Sequence, residues 1–442
     1  MNNYIAAIDL GTTKVVTLVG EKTESGFKII AYMEVPSKGV MRGEVVNIQN
    51  VLDSLLPALA EVRRSQSIEI KDVFVGIAGQ NIKCMSQRLS RNRSKSDDLI
   101  MDDEIEEMIK EMANSRVPAG EKILHVIPQA YNVDDHIGVE NASGMTGTRI
   151  EGDYKLFIGK INSVEHSKLV INRAGLNLKE LILEPVASAK AVLTEDEMEL
   201  GAAMIDMGGG TTDLLIYHNN IIRHTAVIPF GGNSITEDLR HGCSVSLKNA
   251  EQMKIQYGSC YSEFAPENKT VVIPGIGGLE KREVSFKFIA RIIEARVEEI
   301  IEAIMYEIEN SGYMDKLGAG IVLTGGGSQL TNLKQFIQSK TGYSVRIASP
   351  VNHLSHDTPQ EVCKPSSSTA IGLLMIGHDK MKNIAQSAPE EEPVLFEDLE
   401  IAAPATSKEE KNKKKSIRKT GRFLGGVSHI LGDIFDTTNN EA

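Results

Sequence analysis

The chain has 442 residues, enough for two to four domains, and its 41% hydrophobic and 24% charged residues describe a folded protein with a sizeable core. A formal net charge of −12 argues against non-specific nucleic-acid binding by the body, and 5% aromatic residues with no Trp argue against a base-stacking platform. Four scattered cysteines (Cys84, Cys243, Cys260, Cys363) form no CxxC pair, which fits a reducing compartment and neither a zinc site nor a disulfide framework.

Tyr4–Leu10 reads as a strand, and the charge pattern of a secretory leader is missing. No run reaches the roughly 18 apolar residues of a membrane span. The expectation is a cytosolic protein, or one attached to a membrane from the cytosolic side. The first strand runs into Asp9-Leu-Gly-Thr-Thr-Lys14 and then a second apolar run. The same pattern returns at Ala202–Leu215, where an apolar run leads into Asp206, three glycines, Thr211, Thr212 and Asp213. Downstream the echo continues. Ile29–Val35 runs into Pro36-Ser-Lys-Gly39, and Ile221–Ile228 into Pro229-Phe-Gly231-Gly232; helix candidates follow at 48–62 and 234–241. The repeat predicts two related α/β halves.

Between Cys84 and Lys160 lies material with no counterpart in the second half. A helix is expected over 102–113, with Ile105, Met108, Ile109 and Met112 on one face and acids at its start, then a strand over 124–133 and turns over 141–147. This reads as an inserted α+β subdomain. In the second half, 247–258 and 286–310 read as helices flanking a hairpin with loops, a second small subdomain. Gly320–Thr324 leads into Gly325, Gly326, Gly327 and Ser328, with Ser328 expected to cap the next helix. Ser368–Gly377 is a helix with small residues for close packing.

Beyond about Lys382 the composition changes. An Ala/Pro/Glu-rich acidic stretch reads as a disordered linker. A basic run follows with Lys413, Lys414, Lys415, Arg418, Lys419 and Arg422. Around and after it, Ile417, Phe423, Leu424, Val427, Ile430, Leu431, Ile434 and Phe435 recur at helical spacing. A partner-docking helix or a solvated charge run has this pattern too. The linker, the two Phe and the bases favour an in-plane anchor on an anionic membrane surface, folded only on lipid.

The glycine turns carry the candidate chemistry. Glycines without Cβ admit positive φ and let N–H groups converge on phosphate. The candidate phosphate residues are Gly11, Thr12, Thr13 and Lys14 on one side and Gly208, Gly209, Gly210, Thr211 and Thr212 on the other. Asp9 and Asp206 would repel phosphate directly, so their natural partner is a hydrated Mg²⁺. Gly325–Ser328 would bring backbone against ribose or adenine.

DLGTTK, DMGGGTTD and TGGGSQL resemble the two phosphate motifs and the adenosine motif of the actin, sugar-kinase and heat-shock-chaperone superfamily. Glu184–Leu193 and Ser368–Gly377 resemble its two connecting helices. The resemblance implies an Mg-ATP cleft between two lobes, with Gly231, Gly232, Glu251 and Lys254 around the ribose and adenine. It also implies a water-positioning role for Glu184. On spacing alone Glu251 and Lys254 are equally a surface ion pair, and Glu184 equally an acid at a helix N-terminus. Leu124-His-Val-Ile-Pro-Gln-Ala-Tyr131, Gly144-Met-Thr-Gly-Thr-Arg-Ile-Glu151 and the acidic linker with its basic amphipathic end narrow the resemblance to the FtsA family of actin-like bacterial cell-division proteins.

That resemblance implies a duplicated actin-like (ribonuclease H-like) α/β fold with an inserted α+β subdomain and a C-terminal amphipathic helix. The expected division is a first lobe over 1–83 with 164–195 and 366–385, an insertion over 84–163, and a second lobe over 196–235 with 311–365. A second-lobe subdomain over 236–310, a linker over 386–410 and a tail over 411–442 complete it. It further implies self-assembly into filaments, tethering of the tubulin-like FtsZ through 235–310, contacts of the insertion with other subunits or later division proteins, slow or absent ATP hydrolysis, and a place at the cytoplasmic face of the membrane at the division site. The alternative is a small-molecule (sugar or acid) kinase of the same superfamily, which needs a carboxylate base that no motif places and gives the tail no role.

Overall fold

A computed structural model describes residues 4–94, 96–273 and 280–387. The tail residues read as a membrane anchor, Ile417 to Phe435 with their bases, lie outside the described residues, as does nearly all of the expected linker.

The chain opens with an antiparallel meander of β1 (Tyr4–Leu10), β2 (Lys14–Thr23) and β3 (Gly26–Pro36). A short hairpin, β4 (Val40–Met41) and β5 (Glu44–Val45), precedes α1 (Ile48–Gln66). Asn47 caps α1 by accepting from Asn50 N–H, and Ser67 ends it in the left-handed region. β6 (Asp72–Ile77) then lies parallel to β1.

The insertion follows. It consists of β7 (Lys83–Asn92), α2 (Asp102–Ala113), β8 (Glu121–Val133), β9 (His136–Val139) and β10 (Arg149–Lys160), with sheet order β7-β10-β8-β9. Its own core holds Met108, Met112, Tyr131, Ile150, Tyr154 and Leu156, so the face predicted for α2 is the buried one. The chain returns through α3 (Ile161–Arg173), β11 (Asn177–Leu183) and α4 (Glu184–Val192).

The second lobe begins with α5 (Glu195–Leu200), which carries a Thr194/Glu197 capping box. It repeats the meander as β12 (Ala202–Met207), β13 (Thr212–His218) and β14 (Ile221–Ile228). Next come α6 (Gly232–Cys243), α7 (Leu247–Tyr257), the hairpin strands β15 (Thr270–Ile273) and β16 (Arg282–Ser285), and α8 (Phe286–Ser311). β17 (Gly320–Thr324), α9 (Leu333–Thr341), β18 (Val345–Ile347) and α10 (Ser368–Ser387) finish the body.

The duplication is visible in strand order, β11-β6-β1-β2-β3 in one lobe and β18-β17-β12-β13-β14 in the other. In each, three antiparallel strands adjoin two parallel ones. Helices α4 and α10 fill the space between the sheets. One apolar cluster joins Ala7, Leu18 and Phe74 of the first sheet, Ala187, Leu373 and Leu374 of the helices, and Met204, Leu215 and Val322 of the second. The outer faces are covered by α1 with α3, and by the second-lobe helices, where α8 buries Ile289, Ile293, Val297, Ile300, Ile304 and Ile308. The chain is thus an actin-like α/β protein with an inserted domain.

Two expectations change. Ser328 caps no long helix: it sits in a one-turn 3-10 segment, Gly326–Gln329, and its hydroxyl turns back to Gly325 O at 2.7 Å, while α9 starts after Asn332. The expected edge at 83/84 falls inside β7, and those at 163/164, 195/196, 235/236, 310/311 and 385/386 fall inside helices α3, α5, α6, α8 and α10.

Candidate functional site

The two meander turns meet. The register pairs Asp9 with Val16 and Asp206 with Asp213, and places each aspartate at the carboxyl end of its parallel strand, where ligands of open α/β sheets bind. Between them lies a cleft of about 420 Å³, within the range of ligand sites. It is lined by Asp9, Gly11, Thr12, Thr13 and Lys14 from the first turn, and by Asp206, Gly208, Gly209, Gly210 and Thr211 from the second. Glu184, Gly232, Glu251, Lys254 and Gly325–Gly327 line it too.

The glycines act by close approach. None of Gly208, Gly209 and Gly210 lies in the left-handed region, so the positive φ that glycine admits is not used there. A Cβ on Gly209 would stand 1.7 Å from Thr13 Oγ1, and one on Gly210 2.5 Å from Thr12 Oγ1. The turns of the two lobes are therefore in direct contact, and side chains there would hold the lobes apart. Gly325 does need its positive φ of 83°, and a Cβ on it would come 2.2 Å from Asp206 Oδ1.

Three predicted residues do not line the cleft. Thr212 is buried with its hydroxyl on Phe230 O at 2.8 Å, because strand alternation turns it away from Thr211. Gly231 packs on the carbonyls of Gly208, Gly209 and Thr211, and Ser328 is buried on Gly325 O. Lys254 is more than a surface ion pair. Its ammonium is buried, donating to Gly232 O at 2.9 Å and Thr236 Oγ1 at 2.8 Å, and lies 2.8 Å from Glu251 Oε2. It fixes the start of α6 against α7 as well as facing the cleft.

Glu34, Asp213, Asn233, Ile255, Ser366 and Thr369 also line the cleft, and sequence reasoning did not assign them. Asp213 closes the DMGGGTTD motif, and its place opposite Asp206 follows from the hairpin; the others arrive through tertiary contacts that no local pattern marks. Ser188 Oγ donates to Asp206 Oδ2 at 2.6 Å and Thr369 Oγ1 to the same oxygen at 3.2 Å, so α4 and α10 both fasten onto this aspartate.

The electrostatics are one-sided. Asp9, Asp206 and Asp213 are each less than a tenth exposed. Burial, then the neighbouring acids, pushes Asp213 and Glu184 well above the carboxylate range. Asp9 is pushed up to about 7, mainly by burial, with Lys14 opposing and Asp206 and Glu34 adding to it. Burial raises Asp206 too, against the hydrogen bonds from Ser188 and Thr369. Asp213 Oδ1 has no hydrogen-bond partner. Buried acids opposed across strands, one with an orphaned oxygen, fit a divalent cation at this place. Among the described residues no three His, Cys, Asp or Glu side chains cluster closely enough to ligate a metal directly, so the fit is to a cation held through water.

Glu184 opens α4, and Gly76 makes room for it: a Cβ there would stand 2.9 Å from Glu184 Cγ. The insertion seats beside this point. His125 Nε2 accepts from Leu183 N–H at 3.4 Å, and burial lowers its pKa to about 4. On the other lobe Gln129 Nε2 donates to Ile222 O at 2.9 Å.

Two family models match the chain: one described as "Cell division protein FtsA" over residues 203–372, and one as "SHS2 domain inserted in FTSA" over 79–158. Among curated proteins, the cell division protein FtsA of Pseudomonas aeruginosa is 34% identical over 381 residues, covering 86% of this chain and 90% of that protein. FtsA of Neisseria meningitidis is 36% identical over 376 residues, covering 84% and 89%. Among solved structures, the PilM-PilN type IV pilus biogenesis complex matches with a TM-score of 0.60 at 16% identity, covering 85% of this chain and 98% of that one. MreB5 of Spiroplasma citri bound to ADP matches with a TM-score of 0.53 at 17% identity, covering 87% and 99%.

Proposed function

The chain belongs to the FtsA family of actin-like cell-division proteins, and from that premise we propose that it binds Mg-ATP in the interlobe cleft, self-assembles, and tethers FtsZ to the cytoplasmic face of the membrane through residues 411–442. The observation that carries the nucleotide part is the contact of two duplicated Asp–glycine turns around one acidic cleft. MreB5, which shares the fold, has been solved with ADP and with AMPPNP.

In this reading Gly11–Lys14 and Gly208–Thr211 surround the phosphates with backbone N–H groups and hydroxyls. Asp9 and Asp206 hold the waters of Mg²⁺, and Gly325–Gly327 and Ile255 flank the base. The cation neutralises charge between phosphate and carboxylates. Glu184 faces the same space and orients a water when hydrolysis occurs at all; its raised pKa, caused first by burial and then by Asp9, keeps it a poor base while the cleft is empty. Nucleotide then acts chiefly as a ligand that favours one lobe arrangement.

The membrane part rests on the sequence of the tail: seven bases between Lys411 and Arg422 and an apolar stripe from Ile417 to Phe435. No described helix is long and apolar enough to cross a membrane. Sedimentation with anionic vesicles and FtsZ tests the whole. The full chain with Mg-ATP carries FtsZ into the pellet. A chain ending at residue 410 leaves both in the supernatant, with vesicle affinity lower by at least roughly 100-fold, since each base near an anionic surface is worth about 1 kcal/mol. Equal pelleting of the two chains contradicts the anchor.

A further inference from the structure

Lys14 is the single cation of the two phosphate turns, and it is already engaged. Its ammonium donates to Glu34 Oε2 at 2.7 Å. Glu34 projects from β3 into the cleft, and the hydroxyl of Tyr32 donates to the same oxygen at 2.7 Å. The other ammonium of the cleft wall, Lys254, is committed to Gly232 O and Thr236. Lys14 also acts on Asp9 and Asp206, so it stands where the acids of both lobes converge. The pair is partly open to solvent, with side-chain exposures of 21% for Lys14 and 45% for Glu34, and an ion pair so placed exchanges partners at low cost.

We propose that Glu34 is a specificity-determining residue of the cleft, competing with the terminal phosphate of a nucleoside triphosphate for the Lys14 ammonium. Lys14 rests on Glu34 when the cleft is empty or holds a diphosphate, and on the terminal phosphate when it holds a triphosphate. The proposal rests on the reading of the cleft as a nucleotide site. Two anions cannot both hold one ammonium at full strength, so Glu34 weakens the triphosphate selectively, while a diphosphate that stops short of Lys14 is unaffected. Tyr32 keeps Glu34 turned towards Lys14. Its hydroxyl also lies 3.5 Å from Ser367 Oγ, next to Ser368 at the start of α10, so the exchange takes place beside a helix that runs between the lobes.

Calorimetric titration of the full chain with Mg-ATP and Mg-ADP tests this, using wild type, Glu34→Gln, Lys14→Ala and the double variant. Glu34→Gln tightens ATP binding about fivefold and ADP binding less than about twofold, the size expected for release of a half-exposed ion pair. In the Lys14→Ala background the Glu34→Gln effect vanishes. Weaker ATP binding by Glu34→Gln, an equal shift for ATP and ADP, or an effect that survives in Lys14→Ala overturns the proposal alone. A wild-type chain that binds neither nucleotide overturns the nucleotide reading and this proposal with it.

Discussion

Asp9, Asp206 and Asp213 are three buried acids in one cleft, and their neighbourhood has an energetic consequence in the absence of ligand. Asp9 titrates at about 7 in the fold against an ordinary value of 3.8, so the folded state binds its proton more tightly than the unfolded chain does. The stability from that proton is fully present below about pH 4 and is lost as pH rises through about 7. At roughly 1.4 kcal/mol per unit, the loss across this window is on the order of a few kcal/mol. Asp9→Asn removes the titrating group. The ligand-free variant therefore melts higher than wild type at pH 7.5, with little difference at pH 4.5; thermal melts across that range check it, and parallel wild-type and variant curves sink the assignment. At this scale the sequence marked Asp9 and Asp206 because each follows a strand and precedes a glycine turn. Glu34 and Thr369 carried no such mark, since their place in the cleft depends on how β3 and α10 lie against the first turn.

At the scale of elements, the glycines decide how closely parts approach. α4 and α10 cross between the sheets, and a Cβ on Gly372 would stand 1.8 Å from the carbonyl oxygen of Ala187. Backbone on one side and helix on the other leave no flexible side chain to yield. Gly372→Ala is expected to destabilise the body by roughly 1–3 kcal/mol and to lower its urea midpoint, and an unchanged midpoint refutes so close a crossing. The small residues of α10 were legible as a close-packing signal, and α2 and α8 were legible from their 3.6-residue periodicity. The end of the third glycine turn was not. Ser328 after three glycines looks like a cap, but four residues separate it from α9, and Gly325 bends the chain so sharply that the hydroxyl reaches back to its carbonyl.

At the scale of the molecule, duplication was readable because the repeated unit is a whole meander with a functional turn, which leaves the same Asp–glycine–Thr signature twice. The insertion was readable as an interruption of that repeat. Its seating across both lobes was not, because it depends on single contacts such as His125 with Leu183 and Gln129 with Ile222. One claim joins these scales: the two turns close around Mg-ATP. The most direct measurement is an experimental structure of the full chain solved with Mg-ATP. Phosphate density is expected between Gly11–Lys14 and Gly208–Thr211, with the base against Gly325–Gly327 and Ile255. Nucleotide density elsewhere, or an empty cleft at saturating Mg-ATP, would contradict it.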